Sequence, residues 1–370
     1  GWRRSAAREQ GNLGLEVRRL DGATHRLAVG ERADLAEAAL RGMSLTRDFA
    51  RIVLMVGHGS TSTNNLHASG LDCGACGGHA GDANARLAAT LLNDPAVRGD
   101  LSARGIEIPA DTIFLAALHD TTSDEVRILD RSPCAPTHEA ELLQLQEQLA
   151  FAGDRTRRER ARRFGIDPEE SFETRGRDWS QIRPEWGLAG CSAFIVAPRS
   201  RSRQADLGGR SFLHSYDWRG DRDFVILEQI MTAPMIVASW INLQYYGSTV
   251  DNRVFGCGDK TLHNAVGSIG VLEGNGGDLR VGLPWQSLHD GERYLHEPLR
   301  LEVVIEAPLA AIDTVIARHQ ELQKLFDGDW LNLLAIDEMG AMHRYRGAAR
   351  WKPLEPVPSE AEQLAQEDAA

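Results

Sequence analysis

The chain has 370 residues, 42% of them hydrophobic and 25% charged, with a formal net charge of −12. That balance belongs to a soluble globular protein with room for one large domain or two ordinary ones. The acidic excess excludes broad nucleic-acid binding, which needs a basic face.

The five cysteines, Cys73, Cys76, Cys134, Cys191 and Cys257, are odd in number and widely spread. They make no disulfide framework, and a reducing compartment is expected. The chain opens on Gly1 rather than Met, so it is expected to be a fragment of something longer or a trimmed form.

In chain order, 1–32 is polar with a weak alternation over Leu13–Val17. Ala33 to Met43 has helical spacing through Leu35, Ala38, Ala39 and Leu40. Ile52 to Val56 is a continuous apolar run of strand length, the pattern of a strand buried on both faces. It ends in Gly57-His58-Gly59-Ser60, and a polar loop leads to Asp72-Cys73-Gly74-Ala75-Cys76-Gly77-Gly78.

Asp82 reads as the N-cap of a helix over Ala83–Asn93, stopped near Pro95. Thr112 to Leu118 is a second buried strand, closing in His119-Asp120, and Glu125 to Leu129 is a candidate third. Strand, helix, strand at this spacing is an α/β signature, and such sheets place their sites at the carboxyl ends of the strands. His58 and His119 both fall at such ends.

Ala135 to Arg163 is a long helix or two. Its Arg155–Arg163 arginines alternate with acids and read as a solvated surface. Arg175–Arg183 is irregular and charged and is the expected boundary between lobes. The expected domains are therefore an α/β lobe over 1–165, a second α/β lobe over 175–350 and a disordered tail over 353–370.

Beyond the boundary, Ser192–Ala197 and Arg210–His214 read as strands and Phe224–Tyr246 as one apolar helix. Gln229–Val250 carries no charge but includes Pro234, Asn242 and Gln244. It reads as a buried core helix, with a surface that docks on a membrane partner as the alternative. Gly247 to Asp290 is glycine-rich, and long ordered loops of this kind are usually functional. Leu299–Ile305, Leu309–His319 and Leu331–Ile336 follow as strand, helix and strand.

The chemistry gathers around His58 and Cys73. Zinc favours imidazole nitrogen and thiolate sulfur. A thiol before a helix N-terminus is biased toward thiolate, and the adjoining glycines let backbone approach an ion closely. A purely structural turn fits the same residues. A Cys73–Cys76 redox pair is the weaker reading, and Cys76 reads as a thiol packed behind the loop. His119-Asp120 either carries protons or closes its strand with hydrogen bonds. Asp259, Lys260 and His263 either line the same cleft or satisfy their own loop. Gly274–Gly277 lacks the Walker spacing, and no G-x-S-x-G elbow occurs.

The strings VGHGSTSTNNLHASGLDCGACGGHAGDANARLAATLLND, DTIFLAALHDTTSDEV, TAPMIVASWINLQYYGSTVDNRVFGCGDKTLHN and GNGGDLRVGLPWQSLHDG resemble the DabA family of probable inorganic carbon transporter subunits, which is distantly similar to β-carbonic anhydrases. The likeness covers most of 35–346. It implies a β-carbonic-anhydrase-like, mostly parallel sheet with flanking helices, plus a second α/β lobe. It also implies a Zn2+ site in which His58 and Cys73 are two ligands. The remaining Cys and Asp belong to an upstream Cys-x-Asp-x-Arg motif that these 370 residues do not contain. Cys257-Gly258-Asp259 has only its first half, with Thr261 in place of Arg.

The resemblance further implies hydration of CO2 to bicarbonate. Its expected partner is a membrane subunit resembling proton-translocating subunits of respiratory complex I (DabB-like), and its expected place is peripheral, on the cytoplasmic face of the bacterial inner membrane. The alternatives are a non-catalytic docking module for that partner, and an unrelated zinc hydrolase using His58, Cys73 and a carboxylate such as Asp120.

Overall fold

The computed structural model describes residues 16–18, 22–61, 72, 76, 78–164, 172–178, 188–267 and 270–355. The fold is α/β, built on two separate main sheets.

Strands β1 (Glu16–Arg18) and β2 (Thr24–Arg26) form a small antiparallel pair ahead of helix α1 (Val29–Gly42). The Glu31 carboxylate accepts from the Ala28 amide at 2.8 Å, satisfying one of the orphan donors of the first turn. Strand β3 (Ile52–Gly59) leads to α2 (Asp82–Asn93) and α3 (Pro95–Ala103). Asp94 caps α3 by accepting from Ala96 N at 2.8 Å, Pro95 stands at its first position, and the buried Arg32 of α1 pairs with the same carboxylate.

Strand β4 (Ile113–Asp120) then pairs parallel to β3, and β5 (Glu125–Ile128) pairs antiparallel to β4. One face of this sheet packs Phe114 and Ala116 against Leu40, Leu92 and Leu101 of the helices. The other face packs Ile113 and Leu115 against Leu142 of α4 (Glu139–Phe164).

Three sequence expectations change here. The apolar run of β3 is only half-buried, and Val56 is 50% exposed. The sheet order β3-β4-β5 puts β4 in the middle and β3 at an edge, so the two-faced burial falls to β4 alone. Asp82 is the first helical residue of α2, and Gly81 takes the cap position. Within the expected irregular boundary, Phe172–Arg177 forms the short helix α5, whose Phe172 and Arg175 are buried, while 179–187 lie outside the described residues. Residues 356–370 of the expected tail also lie outside them.

The second sheet has the order β13-β12-β11-β10-β6-β7. Strands β6 (Ala193–Ala197) and β7 (Ser211–Ser215) come first in the chain and pair in parallel. Helices α6 (Val225–Thr232), α7 (Pro234–Val250) and α8 (Asn252–Phe255) follow, then the antiparallel pair β8 (His263–Val266) and β9 (Gly270–Glu273). Strand β10 (Glu302–Glu306), helices α9 (Leu309–Arg318) and α10 (Gln320–Asp327), and β11 (Asn332–Ile336) continue the parallel part. Strands β12 (Met342–Tyr345) and β13 (Trp351–Pro353) close it antiparallel. Phe194, Val196, Val303, Ile305 and Leu333 are buried in one core with Leu227, Ile230, Ile312 and Val315 of the helices.

The expected single helix over Phe224–Tyr246 is two. Ala233 leaves the helical region at φ −127° and ψ −77° because Pro234 has no N–H to donate and its ring crowds the residue before it. Residues 222–250 are long and apolar enough to cross a membrane. In this fold α7 buries Met235, Ala238, Asn242 and Tyr245, and Trp240 points outward, 64% exposed. The two sheets meet where α1 packs on α6, and Ser44 Oγ donates to the Ser215 carbonyl at 3.1 Å.

Candidate functional site

The end of β3 is shaped by close backbone contact. A Cβ on Gly57 would lie 2.2 Å from the Gly81 carbonyl oxygen, so no side chain fits there. Gly81 N donates to the His58 carbonyl at 2.8 Å, drawing the start of α2 onto the strand end. The parallel register sets His58 beside His119 and Gly59 beside Asp120. Both histidines thus sit at the carboxyl ends of parallel strands, where α/β sheets carry their ligands.

Burial depresses the His58 pKa below its ordinary value. The neighbouring His119 adds to that, and Asp72 opposes it. The imidazole is therefore neutral at pH 7, the form that offers a lone pair to a metal. The Asp72 carboxylate accepts from Ser60 N at 3.0 Å, tying the far side of the loop to the residue after Gly59. The second expected ligand, Cys73, lies outside the described residues. Cys76 is half-buried and accepts a hydrogen bond from Asn84 Nδ2 of α2 at 3.2 Å.

Among the described residues no three His, Cys, Asp or Glu side chains converge to hold a metal ion. The donor chemistry of His58 fits zinc, as one of the four ligands that zinc usually takes.

His119 has a partner that the sequence did not disclose. Its Nε2 lies 3.2 Å from Asp124 Oδ1, and the other oxygen of Asp124 pairs with Arg160 of α4. Burial alone would raise the Asp124 pKa, but the His119 hydrogen bond and the Arg160 charge outweigh it and hold the carboxyl below the usual range. Asp124 adopts a left-handed φ of 56°. Helix α4 packs so tightly on that turn that a Cβ on Gly153 would lie 2.6 Å from the Asp124 carbonyl.

Arg160 is therefore no solvated helix arginine. Its side chain is 17% exposed and bridges α4 to the turn after β4. Nothing in the spacing of Arg155–Arg163 marks it out from its neighbours. Asp120 spends its Oδ1 on Thr122 N at 2.9 Å, closing the strand. In the other sheet's loops, Asp259 accepts from Thr261 N and Gln286 Nε2, and His263 bonds the Cys257 carbonyl at 2.6 Å. These residues satisfy their own loop.

The sequence matches the family described as "Probable inorganic carbon transporter subunit DabA" over residues 3–331. The chain belongs to the DabA family. Its relatives in that family include a probable inorganic carbon transporter subunit DabA of Roseiflexus castenholzii, 60% identical over 93% of this chain and 42% of the relative. Another, from Chloroflexus aggregans, is 58% identical over 91% of this chain and 41% of the relative. A third, DabA 1 of Bradyrhizobium sp. ORS 278, is 59% identical over 88% and 39%. The chain thus spans about two fifths of the length of these DabA relatives. No solved structure matches it.

Proposed function

We propose that this chain is part of a subunit that takes up inorganic carbon, with His58 and Cys73 as two ligands of a zinc ion used in hydrating CO2 to bicarbonate. The observation that carries the reading is a neutral imidazole, open to solvent, at the carboxyl end of a parallel strand, in a chain about 60% identical to a named carbon-transporter subunit. When bound, zinc supplies the Lewis acidity that makes hydroxide available near neutral pH.

The chain's own residues position that chemistry. Gly57 lets α2 close on the strand end, the Gly81 amide fixes the His58 backbone, and Asp72 holds the loop that bears Cys73. His119, held by Asp124 and Arg160, stands beside His58 in the parallel register and helps keep its imidazole unprotonated. The remaining ligands would be the Cys and Asp of the Cys-x-Asp-x-Arg motif that the family resemblance implies. The partner is a membrane subunit of the DabB-like, proton-translocating type, and the chain lies peripherally on the cytoplasmic face of the inner membrane. The exposed Trp240 of α7 belongs to the surface that meets it.

The test is metal content by elemental analysis of the purified chain and of a form extended to include the expected Cys-x-Asp-x-Arg motif, each with His58→Ala and Cys73→Ala. The expected result is about one zinc in the extended form, lost in both variants. An extended form with no zinc overturns the reading.

A further inference from the structure

The parallel part of the second sheet reverses direction in the middle. From β6 the chain adds β7 on one side and then β10 on the other, so the carboxyl ends of β6 and β10 flank a topological switch point. Open α/β sheets bind ligands in that crevice. Here Glu306, the last residue of β10, is 2% exposed, yet it is a carboxylate. Arg201, in the turn after β6, grips it with Nε at 2.6 Å and Nη2 at 3.2 Å. Arg219, in the loop after β7, brings Nη1 to 3.6 Å from Glu306 and 3.5 Å from Asp217.

Arg201 is half engaged, and Arg219 has only the two longer ion pairs and the Trp218 ring, 4.6 Å away at its centroid. Arg201 Nη1 and Arg219 Nε and Nη2 make no bond among the described residues, and the two side chains are 47% and 54% exposed. Arg199 stands at the rim, donating to the Leu213 carbonyl at 3.2 Å. Two guanidinium groups therefore converge on Glu306, with donor edges left over.

The loop carrying Arg219 is braced by hydrogen bonds. Asp221 accepts from the Tyr216 hydroxyl at 2.8 Å and from the amides of Ile226 and Leu227 at 3.0 and 2.9 Å. Asp223 and Phe224 follow in consecutive left-handed conformations, which surrounding structure must enforce. A surface ion pair needs neither a fully buried acid nor a braced loop. Both are what pre-organised recognition of an anion requires, since a guanidinium fixed on one edge presents its other edge as a fork for oxyanion oxygens.

The geometry points to a binding site for a small oxyanion in this crevice, with Arg201 and Arg219 as its ligands, Arg199 at its rim and Glu306 as the group that positions both. It goes beyond the zinc reading and does not depend on it.

The experiment is calorimetric titration of the 370-residue chain with inorganic phosphate, sulfate and bicarbonate, at ionic strength held constant with chloride. Saturable one-site binding of at least one of these is expected. Arg219→Gln should weaken it by about tenfold, Arg199→Gln by less, and Arg222→Gln, an exposed arginine on the same loop, should leave it unchanged. Glu306→Gln adds positive charge yet should weaken binding, because it releases both guanidiniums. Melting temperatures without anion check that each variant is folded. The proposal is overturned if no anion saturates, if Arg219→Gln binds as the unaltered chain does, or if Arg222→Gln loses as much. A preference for bicarbonate ties the site to the carbon substrate, and a preference for phosphate or sulfate assigns it to a tetrahedral anion. His58→Ala should leave all of these titrations unchanged, so failure here and failure of the zinc reading are separable.

Discussion

Two pairs of parallel strands end differently in this molecule. β6 and β10 lie inside a six-stranded sheet, and the acid at the end of β10 is buried and gripped by Arg201. β3 and β4 belong to a three-stranded sheet with β3 at its edge, and they end in two histidines side by side. An interior strand ends among other loops, which bring partners to its terminal polar group. An edge strand has loops on one side only, so its terminal side chain keeps unspent capacity. His58 is in that second condition, with a neutral ring and one carboxylate nearby.

Core truncation should expose the difference most strongly. Ile305 is fully buried in the middle of the larger sheet, and Ile305→Ala should cost about 4 kcal/mol. Leu54, half-buried on β3, should cost about 1 kcal/mol when cut to alanine. Urea unfolding of both variants measures the contrast. Equal losses would mean that β3 is covered as thoroughly as β10.

Gly57→Ala should cost about 3 kcal/mol, because its Cβ would overlap the Gly81 carbonyl and prise α2 off the strand end. A melt of that variant matching the unaltered chain would contradict the close contact. Asp124→Asn comes next, at about 2 kcal/mol, since it leaves Arg160 facing an uncharged amide and loosens His119. Arg160→Gln should give a similar loss, and the double variant should cost less than the sum of the two.

The smallest effect concerns acid. The His319 hydrogen bond and the Arg318 charge outweigh a small burial effect and depress the Glu228 pKa below its ordinary 4.5. A depressed carboxylate stabilises the fold above its unfolded-state pKa, and that contribution fades as pH falls through the folded value. Stability should therefore drop as pH falls below about 4.5. Glu228→Gln should flatten that limb, and an identical acid titration in the variant would remove Glu228 from it.

The sequence disclosed the strands, because apolar runs such as Thr112–Leu118 have few other homes, and it disclosed His58 through its place at the end of one. It did not disclose the rank of each strand within its sheet. Ile52–Val56 reads as interior, yet its burial depends on neighbours that periodicity does not encode. Nor did it disclose Arg160, whose partner lies 36 residues away and which stands in an arginine-rich stretch. Glu306 is similarly silent, a single acid at the end of an apolar strand whose meaning depends on the two loops that reach it. In each case the missing information is long-range.

The edge position of β3 also governs how the molecule meets its own kind. Eight residues of extended backbone, led by Ile52, Val53, Leu54, Met55 and Val56, present a row of amides and carbonyls on the side away from β4 with no strand beside it among the described residues. Such a row is a template for another strand, and neither a proline nor a lysine interrupts it. At high protein concentration the edge therefore favours sheet-to-sheet joining of copies, and the solubility of this chain depends on what covers that strand.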